Sequence, residues 1–182
     1  MSVFTTYPYS RGSTHVTGPE LDDRVEFTTG FLSDAGDVDL KTHVWGYKKQ
    51  RELVRRMETY RGELAGGHPT FPPESKAACG LVTAISEDVQ NIEYTADDDK
   101  AIEDWVRKNV GTTWHSLGTC KMASREANGV VDANLNVYGI EGLKVADLSI
   151  PPENVAGNTM STTVAIAEKA ADLFMQELGL GS

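Results

Sequence analysis

Trp114-His115-Ser116-Leu117-Gly118-Thr119-Cys120-Lys121-Met122 sets a histidine in a run of small and hydroxyl-bearing residues, where the backbone can approach a ligand closely. Histidine is the natural general base near neutral pH. A packed, hydrogen-bonded core histidine beside a tryptophan is the other reading, and the residues alone leave both open. Upstream, Thr95 followed by Asp98 forms a variant of the capping box, and Asp97, Asp98 and Asp99 suit the positive end of a helix. Ile102, Trp105 and Val106 add an apolar stripe, which predicts a helix over residues 96–109.

Downstream, Gly129–Asp132, Leu135–Tyr138 and Leu143–Asp147 read as three short strands, separated or flanked by Asn134, Gly139 and Gly142. Pro151-Pro152 interrupts regular structure. The polar run Ala156-Gly157-Asn158-Thr159-Met160-Ser161-Thr162-Thr163 leads into a well-buried helix over Ser161–Leu178, carried by Val164, Ile166, Ala167, Ala170, Ala171, Phe174 and Leu178, with Gly179 as its C-cap. Backbone N–H groups at such a helix start suit an anion or a polarised oxygen. Plain N-capping by Asn, Ser or Thr is equally available.

Toward the N-terminus, Met1–Tyr9 and Val25–Phe31 are strand candidates. Val44, Tyr47, Val54, Met57 and Leu64 predict an amphipathic helix from Thr42 to Leu64. Lys48, Lys49, Arg51, Arg55 and Arg56 fill its opposite face, which the acidic chain favours as a solvated face over a polyanion site. Gly66-Gly67-His68-Pro69 ends it, and residues 65–93 are poorly patterned.

Length and composition narrow the classes. The 182 residues, 40% apolar, are enough for one domain with its own core. A net charge of −10 with no basic run argues against nucleic acid. Cys79 and Cys120 lie far apart, and His15, His43, His68 and His115 show no metal-ligand spacing, so no metal is expected. No stretch is long and apolar enough for a membrane span, and no signal-peptide pattern opens the chain. GxSxG, GxxxxGK[ST] and GxGxxG are all missing.

The run 114–122 resembles the C-terminal region of the glucose-methanol-choline (GMC) oxidoreductases. Val130-Val131-Asp132, Leu135-Asn136-Val137-Tyr138-Gly139, Leu143-Lys144-Val145-Ala146-Asp147-Leu148-Ser149-Ile150-Pro151, Gly157-Asn158-Thr159 and Ala167-Glu168-Lys169-Ala170-Ala171-Asp172 continue it in order. Tyr7-Pro8-Tyr9-Ser10-Arg11-Gly12, His43-Val44-Trp45 and Arg55-Arg56-Met57 look closest to the fungal alcohol (methanol) oxidase branch. In that family the glycine-rich phosphate loop lies near the N-terminus of a much longer chain. The sequence therefore resembles a C-terminal portion only.

The resemblance implies an α/β fold fragment: residues 1–93 belong to a substrate-binding domain with an antiparallel sheet backed by helices, and 94–182 return to the FAD-binding domain. It implies a catalytic pair, His115 and Asn158, facing a flavin and holding the substrate hydroxyl. His115 would accept the alcohol proton, a hydride would pass to the flavin, and Asn158 would hold the oxygen. The same resemblance places Asp147 and Leu148 toward the ribityl and phosphate of FAD, Thr159 and Met160 toward the pyrimidine edge, and Trp114 at the wall of a small substrate pocket. Related alcohol oxidases often carry Asn where Met160 stands.

The implied reaction takes a short primary alcohol and O2 to an aldehyde and hydrogen peroxide. The implied cofactor is FAD, held by the full-length enzyme and not by this chain alone; the full-length enzyme would be a homo-oligomer. Two other readings stand beside it. One is another GMC oxidoreductase, acting on an aryl alcohol or a sugar. The other is a non-catalytic remnant or assembly module, because the parts that grip the FAD phosphates are absent. Leu178-Gly179-Leu180-Gly181-Ser182 is not an SKL-type address; an intracellular site, cytoplasmic or peroxisomal, is favoured and secretion stays open. A piece of a larger fold is also expected to expose apolar surface.

Overall fold

The strands and α-helices of the described residues follow in this order in the computed structural model: β1 (Ser13–Val16), β2 (Val25–Thr28), α1 (Val38–Val54), α2 (Ala96–Asn109) and α3 (Met160–Glu177). The structure describes residues 2–82 and 88–180; Met1 and the terminal Gly181-Ser182 lie outside the described residues. Backbone contacts divide these into two units. One holds residues 2–5, 9–11 and 29–111, and the other 6–8, 12–28 and 112–180.

In the first unit α1 packs on α2. Leu40, Tyr47, Phe71, Ala77, Ile102 and Val106 form the core, with Trp105 and Tyr94 against it. α2 has the bounds that its capping box predicts. Thr95 accepts the Asp98 N–H, and the Asp98 carboxylate accepts the Thr95 N–H at 2.8 Å. Burial pushes the Asp98 carboxyl up, but bonds from Ser75 and Thr95 hold it below the usual carboxylate range.

α1 differs from its expected span, starting four residues before Thr42 and ending well before Leu64. Its start is capped from a distance. The Asp34 carboxylate accepts the Val38 N–H at 2.6 Å and the Asp39 N–H at 3.3 Å. The helix ends early because the chain folds back so that Glu63 meets Arg51. Gly62 makes that return at φ 101, where a Cβ would stand 2.4 Å from the Gly80 carbonyl oxygen.

The expected solvated basic face is corrected at Arg51 by the same pairing, while Lys49 and Arg56 are exposed and Lys48 and Arg55 half-buried. Arg51 is only 3% exposed. Its Nε donates to Glu63 Oε1 at 2.8 Å, its Nη2 donates to Glu63 Oε2, and Nη2 also reaches the Ala77 carbonyl at 3.0 Å. The Tyr47, Phe71 and Tyr94 rings lie 5.3–5.9 Å from the guanidinium. Burial pushes the Glu63 carboxyl up, and Arg51 pulls it down further, so the net shift is downward.

No strand forms over the described part of Met1–Tyr9. Tyr9 and Ser10 spend their N–H groups on the buried Asp39 carboxylate, at 3.0 and 2.8 Å, and not on a sheet neighbour. β2 lies within the expected Val25–Phe31, but its partner is the unexpected β1. The two run antiparallel, Ser13 opposite Thr28 and Val16 opposite Val25.

The second unit closes around Val131, Leu135, Ile150 and Ala170, with Ile166 and Phe174 against them. The three strands expected over 129–147 shrink to single bridges, Met122 with Val131, Val131 with Val137 and Asn136 with Lys144. Asp132 explains this. Its Oδ1 accepts the Asn134 and Asn136 N–H groups at 2.8 and 2.9 Å, which curls the chain, and Leu135 turns at φ 68. Gly129 is fixed by contact: a Cβ there would sit 1.9 Å from the Ala123 carbonyl oxygen.

α3 matches the expected helix within a residue at each end. Gly179 caps it at φ 68, and the Leu180 N–H reaches the Met175 carbonyl at 2.8 Å. The expected deep burial is corrected, since Ala170 alone is buried while Met160, Val164 and Leu178 are exposed. The accessible surface totals 12976 Å². Among the described residues no helix is long and apolar enough to cross a membrane.

Candidate active site

The histidine run lies along a second backbone segment. Gly118 N–H donates to the Leu148 carbonyl at 3.3 Å, Cys120 N–H to Ser149 at 2.9 Å and Met122 N–H to Ile150 at 2.7 Å. Gly118 takes φ 83, and a Cβ would lie 3.2 Å from the Pro151 carbonyl oxygen. Blocks distant in sequence are thereby laid side by side.

On the other flank of His115, Trp114 adopts φ 59, a left-handed conformation costly for a side chain of its size. Its N–H donates to Thr112 Oγ1 at 2.8 Å. The residue is 86% exposed.

Asn158 arrives from the loop before α3. His115 Nε2–H donates to Asn158 Oδ1 at 2.8 Å. His115 is half-buried and Asn158 exposed, so the pair is anchored yet reachable. Thr159 follows, buried, with its carbonyl accepting both the N–H and the hydroxyl of Thr163 at 2.9 Å. Its side chain makes no capping bond, so the N–H groups of the first turn of α3 are not closed off from that side. Met160 opens the helix with its thioether outward.

Asp147 turns back on its own loop, accepting the Ser149 N–H at 2.8 Å and the Ser149 hydroxyl. These two bonds hold its carboxyl below the usual range. Leu148 is partly buried, and its carbonyl holds Gly118. The structure thus joins His115 to Asn158 directly and places Leu148 beside the histidine loop. It leaves Trp114 and Met160 projecting, and spends the Asp147 carboxylate on Ser149. Thr112 escaped sequence reading; a hydroxyl two residues before a positive-φ residue carries no signal until that φ is known. Among the described residues no group of three His, Cys, Asp or Glu side chains gathers as a metal site.

The family described as GMC oxidoreductase matches residues 8–167. The chain is 41% identical to the alcohol oxidase of Pichia angusta, with 97% of the chain and 33% of that enzyme covered. It is 43% identical to the glucose oxidase of Penicillium chrysogenum, over 96% of the chain and 26% of that enzyme. Among solved structures it resembles the pyridoxine 4-oxidase of Mesorbium loti, with TM-score 0.66 and 26% identity, covering 94% of the chain and 28% of that protein. The chain therefore spans about a third, or less, of these relatives' length. The alcohol oxidase alignment runs over 221 positions, more than the 182 residues present, so that enzyme carries residues in this region without counterpart here. The glucose oxidase alignment, over 180 positions, needs no such surplus.

Proposed function

The chain belongs to the GMC oxidoreductase family, and on that premise we propose that it carries the catalytic pair of an FAD-dependent oxidase of short primary alcohols. The observation that carries this reading is the bond between His115 and Asn158, two side chains 43 residues apart in sequence and 2.8 Å apart in space.

The donors present fit a flavin. The first turn of α3 offers backbone N–H groups and the positive end of an 18-residue helix dipole, suited to an electron-rich pyrimidine edge. Thr159 and Met160 supply the residues there, and Asp147 and Leu148 would face the ribityl and phosphate side. Bound FAD supplies the hydride acceptor and then the two electrons that reduce oxygen to hydrogen peroxide.

The chain's own residues manage the proton and the position. At 2.8 Å the pair leaves no room for a third oxygen between its members. An incoming alcohol must therefore part them. Asn158 then turns its amide N–H toward the alcohol oxygen, and His115, in the tautomer that carries its proton on Nδ1, presents a bare Nε2 that accepts the hydroxyl proton. Positive charge left on His115 afterwards favours the developing negative charge of reduced oxygen. The exposed Trp114 ring would wall a small pocket beside the pair.

A sugar is the second reading, favoured by the glucose oxidase likeness and by the missing alcohol oxidase residues. Expression of the full reading frame with FAD, assayed for peroxide against methanol, ethanol, an aryl alcohol and glucose, tests both. Peroxide from short alcohols supports the proposal, and peroxide from glucose alone replaces it with the second. This chain by itself is expected to remain colourless after incubation with FAD and desalting.

A further inference from the structure

His115 is held from its C-terminal side by a ladder of three backbone bonds, through Gly118, Cys120 and Met122. From its N-terminal side it follows a residue in an unfavourable conformation. Trp114 stands at φ 59, and with 86% of its surface exposed the indole gains little packing to offset that backbone cost. What holds it is the Thr112 hydroxyl, which accepts the Trp114 N–H at 2.8 Å and closes a short turn over Thr113.

We propose that Thr112 is a positioning residue for His115, its hydroxyl pinning the left-handed turn that keeps the imidazole on Asn158. The inference rests on the reading of His115 as the base and extends it to a residue that touches neither partner of the pair. A side chain in the extended region at Trp114 would redirect the following peptide. The His115 ring, one bond sequence further on, would then leave the 2.8 Å contact with Asn158. A misaimed base slows proton acceptance without weakening cofactor attachment.

The alternative role for Thr112 is an exposed loop hydroxyl without consequence. Four forms of the 182-residue chain separate the two: wild type, Thr112→Ser, Thr112→Val, and Thr112→Val combined with Trp114→Gly. The readout is the nuclear Overhauser contact between the His115 ring protons and the Asn158 side-chain amide, with the methyl signals of Val131 and Ala170 in the core of the second unit as controls for folding. The contact is expected in wild type and in Thr112→Ser, lost in Thr112→Val, and regained in the double variant, because glycine enters the left-handed region without a Cβ penalty. An undiminished contact in Thr112→Val overturns the proposal. So does failure of glycine to restore it while the control signals stay unchanged. In the flavin-loaded enzyme Thr112→Val is expected to lower kcat about tenfold with KM little changed. A lost contact with unchanged kcat supports the positioning role and instead sinks the assignment of His115 as the base.

Discussion

His115 and Asn158 meet through a single hydrogen bond of 2.8 Å between groups carried by unrelated pieces of backbone, one a loop laid along 148–150 and the other the approach to α3. Neither piece fixes the contact alone. Replacement of His115 by alanine in the flavin-loaded enzyme is expected to lower turnover by about 10²–10⁴-fold while the flavin absorption stays unchanged. Asn158→Ala should cost less, about 10²-fold, because it removes a hydrogen bond and not the proton acceptor. Near-normal turnover of His115→Ala by peroxide assay rules out its role as base.

Removal of one partner from the Arg51–Glu63 pair leaves a buried charge uncompensated. Glu63→Leu is expected to destabilise the first unit by about 3–5 kcal/mol in urea unfolding. Arg51→Met alone should cost a similar amount, and the two together markedly less than the sum. Additive losses would show that the pair is not coupled.

Acid should weaken the same unit in two stages. Burial lowers the affinity of His68 for its proton, with Arg51 adding to it and Glu63 opposing. The unfolded chain therefore binds that proton first, and stability falls as pH drops from about 6.5. Glu63, Asp39 and Asp98 are held below their ordinary values, so their contribution is full above the unfolded carboxylate range and lost as pH falls through about 4 and below. Thermal unfolding by circular dichroism between pH 3 and 8 reads both stages. A midpoint that rises on acidification would contradict them.

Gly129→Ala places a methyl group 1.9 Å from the Ala123 carbonyl oxygen, and the obstacle is backbone that cannot swing aside. A loss of about 3 kcal/mol or more is expected, confined to the second unit. Gly66→Ala, with open space around the site, serves as the comparison and should change little. Hydrogen exchange resolved by peptide distinguishes the two.

The parts legible in sequence were those specified within a few residues. The Thr95–Asp98 box set α2, and the small-polar entry with Gly179 set α3. The pair His115 and Asn158 was reached through ordered motifs, since spacing alone left each with an ordinary structural reading. What escaped depends on distant partners. Arg51 reads as a surface cation until Glu63 folds back on it, and the start of α1 depends on Asp34 and not on the residue next to it. The strand candidates over 129–147 are overruled by the Asp132 turn. Two left-handed residues, Trp114 and Leu135, carry no mark in their chemistry at all.

The outward face of α3 has a consequence for the cell. Met160, Val164 and Leu178 project together along one side of α3 and its C-terminal end, with most of each side chain open to solvent. Chaperones and proteases compete for polypeptides that display such patches. The abundance of this protein would then follow how quickly that face finds cover after synthesis, more than the strength of either core.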